Sequence, residues 1–317
     1  MNPRPSSSVS RRHFVKAAAA LAGGGVLRPM AAPAQTPPDQ PAGFRYCLNM
    51  STIRGQNLNI EQEIDVAGKA GYDAIEPWLG KLHDFVARGG SLDDLRKRIQ
   101  DHGMTVESAI GFATWIVNDE AQRAKGLEEA KRDMAVLAAI GGKRMAASPA
   151  GVGPGMVVAL DDAAARYRAL LVLGESSGIT PQIEMWGGNP TVGTVAKAAY
   201  IALQSGHPQA CFLGDAYHTY KGGCDFSNFA LLSGRAMQVF HLNDYPAEPA
   251  REALNDSHRV YPGDGVAPLV ELLKTFKRIG AAPVLSLELF NKQYWARDAL
   301  EVATTGLAKM RAVASKA

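Results

Sequence analysis

The chain has 317 residues, of which 46% are hydrophobic and 21% charged, with 32 glycines. This composition excludes disordered and fibrous classes, and the length suits one (β/α)-type domain or two ordinary ones. A net charge of +3 is too small to argue for nucleic acid, and Cys47, Cys211 and Cys224 lack the number and spacing of a disulfide framework.

Residues 1–34 hold Arg4, Arg11, Arg12, Lys16 and Arg28 and no acid, so the remainder carries 29 basic against 31 acidic residues. Ser10-Arg11-Arg12-His13-Phe14 leads into a weakly apolar run, 17–27, and then Ala32-Pro33-Ala34. This is the layout of an export signal with a small-residue cleavage site, and the paired arginines match the twin-arginine type. The apolar run is about half the ~20 residues a membrane span needs. Residues 1–34 are therefore expected to engage the twin-arginine machinery and address the protein to the periplasm. Residues 35–43, with Pro37, Pro38 and Pro41, read as a linker into a single domain over 44–317.

From residue 44 short apolar runs alternate with longer amphipathic ones. Strands are expected at 44–53, 74–78, 105–112, 143–149, 181–186, 210–218, 238–244 and 283–290. Helices are expected at 60–70, 92–102, 120–140, 160–177, 192–205, 226–234, 266–279 and 297–314. Gly71, Gly103, Gly141, Gly178, Gly206 and Gly280 follow the helical stretches, as C-terminal stops do. Eight strand–helix units without a GxGxxG turn favour a closed (β/α)8 TIM barrel over an open doubly wound sheet. The long connection 246–265 then falls on the face where such barrels build their sites.

The polar residues at strand ends are the strongest functional signal. Glu76, Glu184, Asp215, His218, His241, Asp244 and Glu288 all stand at or near the C-terminal ends of expected strands, where interior positions should be apolar. Burying one carboxylate costs several kcal/mol without a neutralising partner. A divalent cation held by Glu184, Asp215, His241 and Glu288 supplies that partner, and the oxygen-rich set suits Mn²⁺ first, then Mg²⁺ or Co²⁺. The rival reading is a set of separate ion pairs with core arginines.

Ile183-Glu184, Gly214-Asp215-Ala216-Tyr217-His218, Phe240-His241-Leu242-Asn243-Asp244, Pro262-Gly263-Asp264-Gly265 and Ser286-Leu287-Glu288 resemble motifs of the sugar isomerase/epimerase superfamily of xylose isomerase-like barrels. The resemblance covers essentially all of 44–317. It implies one Mn²⁺-type ion on Glu184, Asp215, His241 and Glu288, with His218 beside the substrate. It also implies that Glu184 and Glu288 serve as acid/base groups on either side of a cis-enediolate. Family members often form homo-oligomers, but no patch in the sequence is assignable to an interface.

The expected function is thus a divalent-metal-dependent isomerase or epimerase of an unphosphorylated sugar or keto-sugar. The alternative is a lyase or dehydratase of the same barrel, inosose dehydratase-like or acting on a 3-keto-glycoside, and behind it a non-catalytic sugar-binding protein. Nucleic acid is not an expected partner, and no P-loop or basic cluster supports a phosphorylated substrate. Glu76, Asp244 and Trp186 join His218 as expected substrate contacts, with an ion pair beneath the site as the other reading of Glu76. Trp78 and Trp115 are candidates for stacking on a sugar face. Epimerase-like members place an arginine a few residues after the histidine ligand, whereas here Arg251 stands ten residues beyond His241 and Arg259 farther still.

Overall fold

The computed structural model describes residues 43–317; the expected export signal and nearly all of the expected linker lie outside the described residues. Eight parallel strands alternate with helices. The strands are β1 (Tyr46–Asn49), β2 (Ala74–Glu76), β3 (Thr105–Val106), β4 (Arg144–Ala147), β5 (Thr180–Glu184), β6 (Phe212–Asp215), β7 (Met237–His241) and β8 (Val284–Leu287). The helices are α1 (Ile60–Ala70), α2 (Leu79–Ala87), α3 (Leu92–Asp101), α4 (Glu120–Ala139), α5 (Leu160–Glu175), α6 (Val195–Gln204), α7 (Ala216–Lys221), α8 (Leu269–Arg278), α9 (Lys292–Trp295) and α10 (Ala299–Ala314).

The sheet runs β3-β2-β1-β8-β7-β6-β5-β4, so sequence neighbours are spatial neighbours and β1 pairs with β8. The sheet curls until its edges meet. There β3 meets the segment leading into β4 through one parallel bridge, Val106 to Gly142, and the segment after β3 meets β4 through the Ala146 amide donating to Ala109 O at 2.9 Å. Cys47, Ala74, Ile110, Ala146, Leu213, Val239 and Val284 form a small apolar cluster drawn mostly from the strands. A second, larger core fills the space between sheet and helices.

Local chemistry explains the boundaries. Ile60, Ile64 and Ala67 recur at helical spacing and are buried, while Asn59 and Gln62 cap α1 reciprocally and Gly71 ends it at φ 87°. The expected strand 44–53 stops at Asn49, whose side chain accepts the Ser51 amide and starts a 3₁₀ segment over Met50–Gln56. The expected strand 210–218 stops at Asp215, which caps α7 by accepting the His218 amide. The expected helix 226–234 is a 3₁₀ segment, Phe226–Leu231. It inserts Phe229 among Phe212, Phe240 and Phe276 at ring separations of 6.1, 5.7 and 5.7 Å.

The N-terminal mouth of the barrel is held by Glu107, which is buried. Its carboxylate accepts from Arg45 (2.5 Å), Lys143 (2.7 Å), Thr105 (2.8 Å) and Arg144 (3.2 Å). Burial alone would raise its pKa; the hydrogen bonds from Lys143, Thr105 and Arg45 outweigh that and hold it at about 2. A depressed acid stabilises the fold above its ordinary pKa, and that contribution fades as pH falls from about 4.5 towards 2. Glu107→Gln is therefore expected to cost about 2 kcal/mol at pH 7, allowing for the half-exposed Lys143. In urea titrations the gap from wild type should narrow steadily below pH 4.5. A gap of the same size at pH 2.5 would contradict the ionic origin.

Candidate active site

The register of the strands gathers the polar ends. Asn49 pairs with Glu76, Asp215 with His241, and His241 with Ser286. Glu76, Glu184, Asp215 and His241 are thus the last residues of their strands, and Glu288 lies one residue past β8. Glu184, His241 and Glu288 each offer a ligand atom, and the three atoms lie within 4.8 Å of one another. Asp215, the fourth expected ligand, stands at the edge of this group, with Oδ2 3.6 Å from His241 Nδ1.

His241 is fully buried, and its Nε2–H donates to Glu76 Oε2 at 3.0 Å. That oxygen also accepts from Ser286 Oγ (2.7 Å) and Asn49 Nδ2 (2.9 Å). The contact fixes the imidazole so that Nδ1 faces Glu288 Oε2 at 3.1 Å. Glu76, expected at the substrate, therefore acts beneath it, orienting His241 from a position with no solvent exposure. Burial disfavours the charged imidazole, but Glu288 and Glu76 reverse this and raise the His241 pKa.

The residues fit a divalent cation. Among the described residues, Glu184 Oε2 is one of the buried side-chain oxygens without a hydrogen-bond partner, as Glu76 Oε1 is beneath it. A partnerless carboxylate oxygen is costly unless it serves a ligand, and Glu184 Oε2 is the one that belongs to the three-residue group. Burial and then the neighbouring Glu288 push Glu184 up to about 8, so without a cation it holds a proton near neutral pH.

Arg259 supplies the site's other positive charge. It is buried, with Nη1 donating to Glu288 Oε2 (2.7 Å) and Asp215 Oδ2 (2.9 Å). Nε and Nη2 donate to Asp256 Oδ1 at 3.1 and 2.6 Å, and the guanidinium lies against the Tyr217 and Phe290 rings. Burial raises the Asp215 pKa, but the Arg259 guanidinium outweighs it and depresses it strongly. The sequence gives little signal for Arg259, because its place is set by long-range loop closure rather than by spacing from His241.

Asp244 performs that closure. Its carboxylate accepts the amides of Tyr245 (2.8 Å), Gly263 (2.9 Å), Ala267 (2.9 Å) and Gly265 (3.2 Å). A Cβ at Gly265 would lie 2.2 Å from Tyr245 O, so only glycine permits the approach. Lys221 Nζ pins the same loop by donating to the carbonyls of Leu254 (2.7 Å), Arg251 and Glu252 (2.9 Å each). Asp244, expected as a substrate contact, thus clamps the loop that carries Arg259.

Above this floor is a cavity of about 390 Å³. Glu184, Glu288, His218, Arg259 and Asp256 line its polar side; Trp78, Phe112, Trp186 and Phe290 line much of the rest. His218 therefore sits at the cavity, as expected, and Trp186 with it. Trp115 does not: it is buried in the core, with its indole N–H on Ser148 O at 2.8 Å. His218 Nδ1 accepts the Gly187 amide at 3.1 Å, which places the proton of the neutral ring on Nε2, 3.0 Å from Arg259 Nη2. Burial lowers the His218 pKa and keeps the ring neutral. Two donors then face each other at the cavity wall.

The model of the xylose isomerase-like TIM barrel family matches residues 64–312. The chain is 27% identical over 279 residues to an inosose isomerase of Bacillus velezensis, covering 86% of this chain and 98% of that protein. To the inosose isomerase of Bacillus subtilis it is 27% identical over 270 residues, covering 83% and 95%. The solved IOLI protein, which carries a bound zinc atom, aligns at a TM-score of 0.80 with 26% identity, covering 86% of this chain and 98% of that one. An L-ribulose 3-epimerase shares the fold at a TM-score of 0.70 and 19% identity, covering 86% and 95%. With strand order, strand-end acids and family match in agreement, this chain belongs to the xylose isomerase-like TIM barrel family.

Proposed function

We propose that the protein is a divalent-metal-dependent isomerase or epimerase of unphosphorylated keto-sugars or inososes. One observation carries the reading: Glu184 and Glu288 both line the same cavity, and each offers an oxygen within 4.8 Å of a nitrogen of His241. The names of the inosose isomerases, at 27% identity over most of the chain, point to a cyclic keto-polyol.

Glu184, His241 and Glu288, with Asp215 beside them, would hold the cation, and the oxygen-rich set favours Mn²⁺, Mg²⁺ or Co²⁺. When bound, the ion supplies Lewis-acid polarisation of the substrate carbonyl. The protein's own groups do the rest. One glutamate removes the proton from the carbon next to the carbonyl, giving an enediolate, and a glutamate returns it at the neighbouring carbon or on the opposite face. The neighbouring donors, His218 Nε2–H and Arg259 Nη2–H, would both donate to one substrate oxygen and hold its developing charge. Phe290, packed against the Arg259 guanidinium, would shield the exchangeable proton from bulk water. On the same reading residues 1–34 are an export address, and the barrel works outside the cytoplasm.

Protein purified without chelators is expected to contain about one divalent ion per chain, and chelation should abolish turnover until a metal is restored. Incubation of the holo-protein with scyllo-inosose and a panel of ketoses in D₂O should place deuterium on carbon without loss of a group. An unsaturated product in place of exchange would replace this reading with a lyase, and the absence of any exchange across the panel would remove it.

A further inference from the structure

The active-site cavity of about 390 Å³ lies within the range of small-molecule sites, and its lining is of two chemical kinds. Hydrogen-bonding side chains are gathered on the floor around Glu184, His218, Arg259 and Glu288. Towards the mouth the wall is built by Trp78, Phe112 and Trp186, with successive ring centroids 5.4 and 6.3 Å apart and the planes tilted by 58° and 54°.

A single polyol ring seated on the floor would leave this aromatic cleft to water. Phe112, 42% exposed, would remain an uncovered apolar surface at a site otherwise built for burial. Tilted aromatic faces at these spacings suit a flat guest, either the C–H face of a sugar or an aryl group.

We infer that the natural substrate carries a second ring attached to the keto-sugar or inosose ring, and that Trp78, Phe112 and Trp186 form the subsite that holds it. This inference rests on the proposed function for the location of the first ring but not for the reaction. The second ring, whether sugar or aryl, is recognised by stacking and burial of its faces rather than by hydrogen bonds.

Titration calorimetry of the metal-loaded protein with methyl β-D-glucoside, phenyl β-D-glucoside and cellobiose tests it. The phenyl glucoside or cellobiose should bind at least tenfold more tightly than the methyl glucoside, and the tighter of the two identifies the type of ring. Phe112→Ala, at an exposed position, should reduce the two-ring affinity about tenfold and the methyl glucoside affinity by less. Equal affinities for all three ligands, or an equal loss for all three in Phe112→Ala, would overturn the inference. The D₂O experiment is independent of these ratios: a two-ring preference without deuterium exchange removes the proposed reaction and leaves the subsite, while exchange without the preference does the reverse.

Discussion

A Glu184→Gln protein is expected to lose turnover by about 10²–10⁴-fold while melting, free of metal, no lower than wild type. The two readouts separate chemistry from architecture. Glutamine keeps the shape of the side chain but cannot take up or return a proton, and it is a poorer cation ligand. In the metal-free fold the wild-type carboxyl is held up at about 8, by burial first and by Glu288 second. A raised pKa means that this group favours the folded state most below its ordinary value, about 4.5, and loses that advantage as pH rises through about 8. The metal-free glutamine variant should therefore gain on wild type in melting temperature between pH 5 and 9. Full turnover in this variant, measured as deuterium exchange, would remove Glu184 from the mechanism.

Replacement of Arg259 by methionine is expected to have the largest effect on stability, about 3–5 kcal/mol in the metal-free protein. Its guanidinium neutralises Asp215 and Glu288 in the interior and pairs with Asp256 at the rim, so its loss strands two buried carboxylates. Lysine should restore little, because one ammonium cannot span both carboxylates and Asp256 in the way the planar fork does. Metal loading should narrow the deficit, since a divalent cation supplies part of the missing charge. Urea midpoints of wild type, Arg259→Met and Arg259→Lys, with and without metal, measure this; equal midpoints would show that Arg259 is not the counter-ion of the site.

The chain's order of strands and the placement of Glu184, Asp215, His241 and Glu288 at strand ends were legible because their signals are local. An acid ending an apolar run, as in Ile183-Glu184 or Ser286-Leu287-Glu288, shows at once that the strand opens onto something polar. What was not legible depends on closure at a distance. Arg259 enters the site only because Asp244 gathers amides from four residues of the loop, which also turns an expected substrate contact into a clamp. Glu76 carries the same strand-end signal as Glu184, and only the register of β2 against β1, with His241 above it, distinguishes an orienting carboxylate from a ligand. Helix α2 was missed for a different reason: Trp78 offers its first turn no side-chain cap, and Gly80 interrupts the pattern. Helix α7 was hidden because Asp215 ends a strand and caps a helix with the same carboxylate.

The sparse pairing between the β3 and β4 edges makes that seam the clasp of the barrel. Glu107 fastens that clasp, with Lys143 and Arg144 beside β4 and Arg45 just before β1 drawn to one carboxylate. The four expected ligands lie elsewhere, at or just past the ends of β5 to β8. The seam therefore carries none of the four expected ligands, and a change at Glu107 acts on the closure of the barrel rather than on them.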